Sequence, residues 1–187
     1  MYFLQNNQKK LLTSFNAVFL TLFVLLLILF KSTSEGLVPS VFTGWDILLP
    51  VVIYLGQRRN LWEGLLILLF NGHLYSLNSS APIGMFVVYY LIFFFLAQVV
   101  AYTFYAQTPF SVICLIFIST LISRLILPLC AQVFEQSVMV LSWANWSLWN
   151  LFLNTVLGFF IYIILGVLDR ITLKVPPRNI TLGDNSL

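Results

Sequence analysis

Residues 63–84 read EGLLILLFNGHLYSLNSSAPIG, and the fold depends on how this stretch is parsed. An apolar run passes through Asn71-Gly72-His73 and ends in the polar trio Asn78-Ser79-Ser80. Ala81-Pro82-Ile83-Gly84 follows, and then the longest aromatic and aliphatic run of the chain begins. Proline is tolerated in a first helical turn, where its missing N–H has no intrahelical acceptor. The stretch therefore reads as a sharp turn between two membrane helices. Its structural positions are Gly72, Ser76, Pro82 and Gly84. Gly72 is expected to let a neighbouring helix approach closely, and Pro82 with Gly84 to restart the chain. His73 is the one histidine. In an apolar helix such a residue is ordinarily a neutral hydrogen-bonding group, although its pKa would suit a pH switch.

Working outward, the chain of 187 residues is 60% hydrophobic and 8% charged, with a mean hydropathy of +0.99. Soluble domains carry about 25% charged residues. So few charges cannot clothe a protein in water, and the class is an all-α integral membrane protein. The net charge of +3 is no nucleic-acid signal, because the basic residues stand singly or in pairs at the ends of apolar runs. Cys114 and Cys130 share one apolar run and read as small buried hydrophobes. Nothing in the sequence requires a cofactor or a metal.

Six spans are expected, at about 11–30, 45–56, 61–77, 82–106, 110–134 and 144–168, in a single domain over 1–170 with a flexible tail over 171–187. Lys9 and Lys10 precede the first run, but its far end lacks a cleavage pattern, so it reads as a retained span. The second run is too short to cross alone. It is either a short helix sheltered by its neighbours or one that starts near Leu37 and carries Asp46 inside, and Pro50 would kink or restart it.

Six spans place both termini together with Lys9, Lys10, Arg58, Arg59, Arg170, Lys174 and Arg178. The opposite loops hold Lys31, Glu35, Asp46 and Glu135. The positive-inside rule then makes the termini cytoplasmic. Trp45, Trp143, Trp146 and Trp149 would form an aromatic belt at the outer interface. A five-span arrangement would spoil this charge asymmetry.

Arg124 is the most expensive residue, near the middle of the fifth span, where arginine costs about 2.5–3.5 kcal/mol on insertion scales. Ser119, Thr120 and Ser123 share its side of the helix. It reads as an internal ion pair, with Glu63 or Asp46, as a snorkelling side chain, or as a site for an acid or a partner chain. Glu63 follows Arg58 and Arg59 and reads as one half of an interfacial salt bridge. Asn150, Asn154 and Gly158 recur every four residues, a face that lets helices approach and hydrogen-bond. It is a candidate helix-docking face, read first as an internal seam. Gln98, Tyr102 and Tyr105 form a similar polar face. The sequons at Asn78, Asn145 and Asn179 read as chance. No nucleophile elbow, P-loop or zinc motif is present.

The order Trp45-Asp46-Ile47-Leu48-Leu49-Pro50-Val51-Val52-Ile53-Tyr54-Leu55-Gly56-Gln57-Arg58-Arg59 resembles the second span and basic turn of the bacterial rod shape-determining MreD family. Gly72 and Ser80-Ala81-Pro82-Ile83-Gly84 are similar to that family's next helix and turn, and Ser76 stands where the family has an acid. Leu148-Trp149-Asn150-Leu151-Phe152-Leu153-Asn154 and Gly166-Val167-Leu168-Asp169-Arg170 are similar to its last span. The resemblance covers roughly residues 40–170. It implies a six-helix protein of the bacterial inner membrane, with a fold like the substrate-binding subunits of energy-coupling-factor transporters. It also implies a non-enzymatic role in the cell-elongation complex that organises lateral peptidoglycan synthesis. The implied partners are a single-span MreC-like protein and, through it, an actin-like cytoskeletal protein and wall-synthesis enzymes. The alternative is a vitamin-type transport component with an outer pocket lined by His73, Tyr75 and Trp143. A membrane enzyme built on His73 and an acid stands third.

Overall fold

The computed structural model describes residues 2–34, 46–79, 81–103, 108–135 and 148–174. Six helices occupy them: α1 Tyr2–Ser34, α2 Leu48–Arg58, α3 Leu61–Leu77, α4 Met85–Thr103, α5 Pro109–Glu135 and α6 Leu148–Ile171. No strand occurs among the described residues. Four stretches are long and apolar enough to cross a membrane: Phe15–Thr33, Met85–Thr103, Pro109–Phe134 and Leu148–Ile171. Their outward faces are large and apolar, as in α1, where Phe15, Phe19, Leu22, Leu26, Leu29 and Phe30 are exposed while Leu20, Val24 and Ile28 are buried. That division gives a membrane-embedded protein whose lipid face and protein face alternate at helical spacing.

α2 is organised differently. Leu48 through Gln57 are all buried, so it has no solvent or lipid face. It packs against each of the other five helices, most extensively α4 and α6. Eleven residues make a helix of about 16 Å at about 1.5 Å per residue, too short to cross a bilayer alone. Of the two parsings open in the sequence, the short sheltered helix is the observed one. Pro50 neither kinks nor breaks it, because it lies in the first turn, where its missing donor has no intrahelical partner.

The close seams are made by glycines on α2, α3 and α6; a Cβ on Gly64 of α3 would come within 2.6 Å of the Phe94 ring on α4. A Cβ on Gly56 would come within 2.6 Å of Ala97 Cβ and 2.9 Å of the Phe94 carbonyl oxygen, which brings α2 against α4. A Cβ on Gly158 would come within 2.8 Å of Pro50 and 2.9 Å of Ile116, which fixes α6 against α2 and α5. Gly72 does not have this role. A Cβ there would meet Val87 at ordinary distances of 3.5 and 3.6 Å, so the α3–α4 contact would admit a methyl at this position.

The hairpin over 63–84 joins α3 to α4 as a turn. Gly84 has φ +92, a left-handed conformation that favours glycine. Pro82 lies in the turn, not in the first helical turn, and its carbonyl accepts from Met85 N at 3.2 Å. Several other bounds also shift. Helix α1 includes the polar lead, α4 begins at Met85, and α6 runs on to Ile171. The last span, expected to end at 168, therefore continues past that bound. Asp169 and Thr172 are both buried, because they continue the inward stripe of α6. Trp45, Trp143, Trp146, Tyr105, Ser80, Asn145 and Asn179 lie outside the described residues.

Candidate functional site

Two buried polar clusters sit at the two ends of α2. Arg59, the C-cap residue just beyond α2, is 1% exposed. Its Nη2 donates to Asp169 Oδ1 at 2.5 Å and to Asn16 Oδ1 at 2.7 Å. Asn16 Nδ2 donates to Asp169 Oδ1 at 3.0 Å and to Thr172 Oγ1 at 2.5 Å. The Tyr54 hydroxyl reaches Asp169 Oδ2 and the Leu165 carbonyl. Gln98 Nε2 donates to the Arg59 carbonyl at 3.2 Å. This cluster ties α1, α2, α4 and α6 through one guanidinium–carboxylate pair. Burying a charge is tolerated only when it is paired and hydrogen-bonded, and here the partner comes from 110 residues along the chain.

By sequence, Arg58 and Arg59 read as the basic side of an interfacial salt bridge with Glu63. Glu63 Oε1 does approach Arg59 Nε, at 3.9 Å, but its shorter partner is Lys174 Nζ at 2.8 Å. That outer pair is a quarter exposed and of the weak kind. A signal for the stronger pair was present in α6: Gly158, Tyr162, Leu165 and Asp169 recur at helical spacing on one buried face.

At the other end of α2, Asp46 Oδ1 accepts from the Leu49 amide at 3.1 Å. Its carboxylate also accepts from the hydroxyls of Tyr89 at 2.9 Å and Tyr90 at 2.8 Å. The Asp46 amide donates to Asn154 Oδ1 at 3.3 Å. Around this carboxylate the rings of Tyr75, Phe86, Tyr89 and Tyr90 form a group packed edge to face except for the stacked Phe86–Tyr90 pair, with centroids from 4.7 to 6.3 Å apart. Lys31 bonds the Tyr75 hydroxyl, and the two border a cavity of about 40 Å³.

The remaining candidate residues fall as follows. Arg124 makes no ion pair within 4 Å with Glu63 or Asp46, and its Nη2 is buried without a hydrogen-bond partner among the described residues. Its neighbours Thr120 and Ser123 turn their hydroxyls to carbonyls of their own helix, at 2.8 and 2.7 Å. Pro128 follows one turn later inside a continuous α5. Asn150, Asn154 and Gly158 are all buried within the chain, so this face is spent on internal packing and is closed to a partner. Ser76 is buried at the end of α3, where an acid would have been enclosed by protein. His73 is exposed on the outer side of α3, away from the Tyr75 group. Of the further polar face on α4, Gln98 is buried and Tyr102 exposed. Cys114 and Cys130 are free, the second buried.

No cluster of three or more metal-ligating side chains occurs among the described residues. No family model, curated protein or solved structure matches the chain.

Proposed function

We propose that the chain is a non-enzymatic membrane scaffold of the cell-elongation complex of a rod-shaped bacterium. It would cross the inner membrane six times with both termini cytoplasmic, α2 and α3 crossing as short helices shielded by their neighbours. It would help to organise lateral peptidoglycan synthesis by holding a single-span MreC-like protein, and through it the actin-like filament and the wall-synthesis enzymes.

The observation that carries this reading is the filled centre of the bundle. The middle of the fold is occupied by α2, buried on every side, and each end of α2 is locked by its own polar cluster. Such a body is suited to presenting its outer helical faces. The transport reading needs His73 and Tyr75 on one pocket, but His73 is exposed while Tyr75 is buried against Phe86 and Tyr90. The resemblance over residues 40–170 is what suggests these partners.

Co-purification of the full chain from solubilised membranes with an MreC-like protein tests the proposal. Depletion that leaves cells rod-shaped, with wall insertion unchanged, would overturn it.

A further inference from the structure

A groove of about 270 Å³ runs along the side of the bundle between α5 and α6, at the end that holds Arg59. Its mouth carries Arg58 and Arg170, and its walls include Val112, Phe159, Ile163 and Val167. We propose that it binds an anionic phospholipid, the phosphate held between the two arginines and an acyl chain laid along the apolar walls.

The wall on α6 is a single stripe. Phe159, Ile163, Val167 and Arg170 follow one another at steps of four, four and three residues, so a long apolar strip ends in a cation. Ile163 and Val167 are 44% and 46% exposed, so the groove opens sideways on the face that meets the bilayer. Its floor is open at Gly166. A Cβ built there meets nothing within 4 Å, and the residue has no left-handed backbone, so neither packing nor conformation requires glycine. The missing side chain leaves the groove unfilled.

The charges at the mouth are uncommitted to acids. Lys174 and Arg59 each have a carboxylate partner, whereas neither Arg58 nor Arg170 has one within 4 Å among the described residues. Arg58 is steadied by Nε donation to the Tyr162 hydroxyl at 3.5 Å, and that hydroxyl in turn donates to Gln57. α5 starts at Pro109 on the same rim, so the positive end of its dipole adds to the field. Guanidinium forks suit phosphate oxygens, and basic pockets between membrane helices recognise acidic headgroups. A free anion would use the arginines and ignore the apolar strip. A zwitterionic lipid would bring its own ammonium to the same phosphate. An anionic amphiphile satisfies both parts of the groove.

The full chain, purified in mild detergent, is exposed to equimolar phosphatidylglycerol and phosphatidylcholine, and retained lipid is read by native mass spectrometry. The wild type should retain phosphatidylglycerol roughly tenfold over phosphatidylcholine, as expected for one charge-assisted contact. Arg170→Gln, on an exposed side chain, should abolish the preference. Gly166→Leu should fill the groove and release both lipids while leaving both arginines in place. Thermal unfolding of each variant checks that it is folded. Equal retention of the two lipids by the wild type, or unchanged binding in both variants, would overturn the assignment. So would displacement of the lipid by soluble glycerol phosphate, which would mean a headgroup-only anion site. The readout involves no partner protein, so its failure is separable from failure of the scaffold reading.

Discussion

Replacing Asp169 with alanine would leave Arg59 charged and enclosed, with Asn16 Oδ1 as its remaining close acceptor. The cost can be apportioned from the geometry. Asn16 Nδ2 keeps Thr172 as an acceptor, and the Tyr54 hydroxyl keeps the Leu165 carbonyl, so neither donor is orphaned. The loss therefore concentrates on the guanidinium, whose side chain is 0% exposed. Breaking a buried pair from one side costs about 3–5 kcal/mol. With the Asn16 and Tyr54 donors satisfied, the lower end applies, about 3 kcal/mol or roughly a hundredfold in the unfolding constant. Reversible unfolding in mixed micelles, titrated with sodium dodecyl sulfate, measures it. The double variant Arg59→Met with Asp169→Leu should recover most of the loss, because apolar residues can replace a buried pair at little net cost. A loss under about 1 kcal/mol for Asp169→Ala, the ceiling for an exposed pair, would refute the reasoning. So would a double variant as unstable as the sum of its singles.

Gly56→Ala should destabilise by about 1–3 kcal/mol through overpacking, because the new methyl meets Ala97 and the Phe94 backbone. Gly72→Ala should be neutral or slightly stabilising in the same unfolding assay. Gly84→Ala should cost about 1 kcal/mol or more, since its φ of +92 is unfavourable for a residue with a Cβ. Arg124→Leu should raise the unfolding midpoint, since it removes a membrane-depth cation whose Nη2 has no hydrogen-bond partner among the described residues. A lowered midpoint would mean that Arg124 is held by Asp46 or by a residue beyond the described set.

The apolar runs announced the helices because a bilayer forces backbone groups to bond within each segment. Their lengths also exposed α2 as too short to cross unaided. What composition could not supply was the rotation of each helix about its own axis. Arg58 and Arg59 are neighbours in sequence, yet one stands at a groove and the other is buried against Asp169. A reading as a pair of loop cations misses that the helix ends between them: Arg58 is its last residue and Arg59 leaves it in extended backbone. Arg124 drew attention because its cost is local and readable, whereas the value of Arg59 depends on a partner on α6. The close-approach role expected of Gly72 fails for the same reason. Gly72 stands in the conspicuous stretch and Gly158 reads correctly as part of a seam, but Gly56 and Gly64 also make tight contacts, and only the facing atoms distinguish them from Gly72.

The enclosure of α2 has a consequence for how the chain is made. α2 is the second helix to leave the ribosome, but α4 and α6, its principal neighbours, follow it. About a hundred residues separate its end from the end of α6, a wait of roughly five to twenty seconds at 5–20 residues per second. During that interval Arg59 has no carboxylate from α6, and the segment is too short to rest across the bilayer by itself. It must be sheltered by the insertion machinery, or wait at the membrane surface, until α6 delivers Asp169. The helix at the centre of the finished bundle is thus among the first synthesised and the last to be secured.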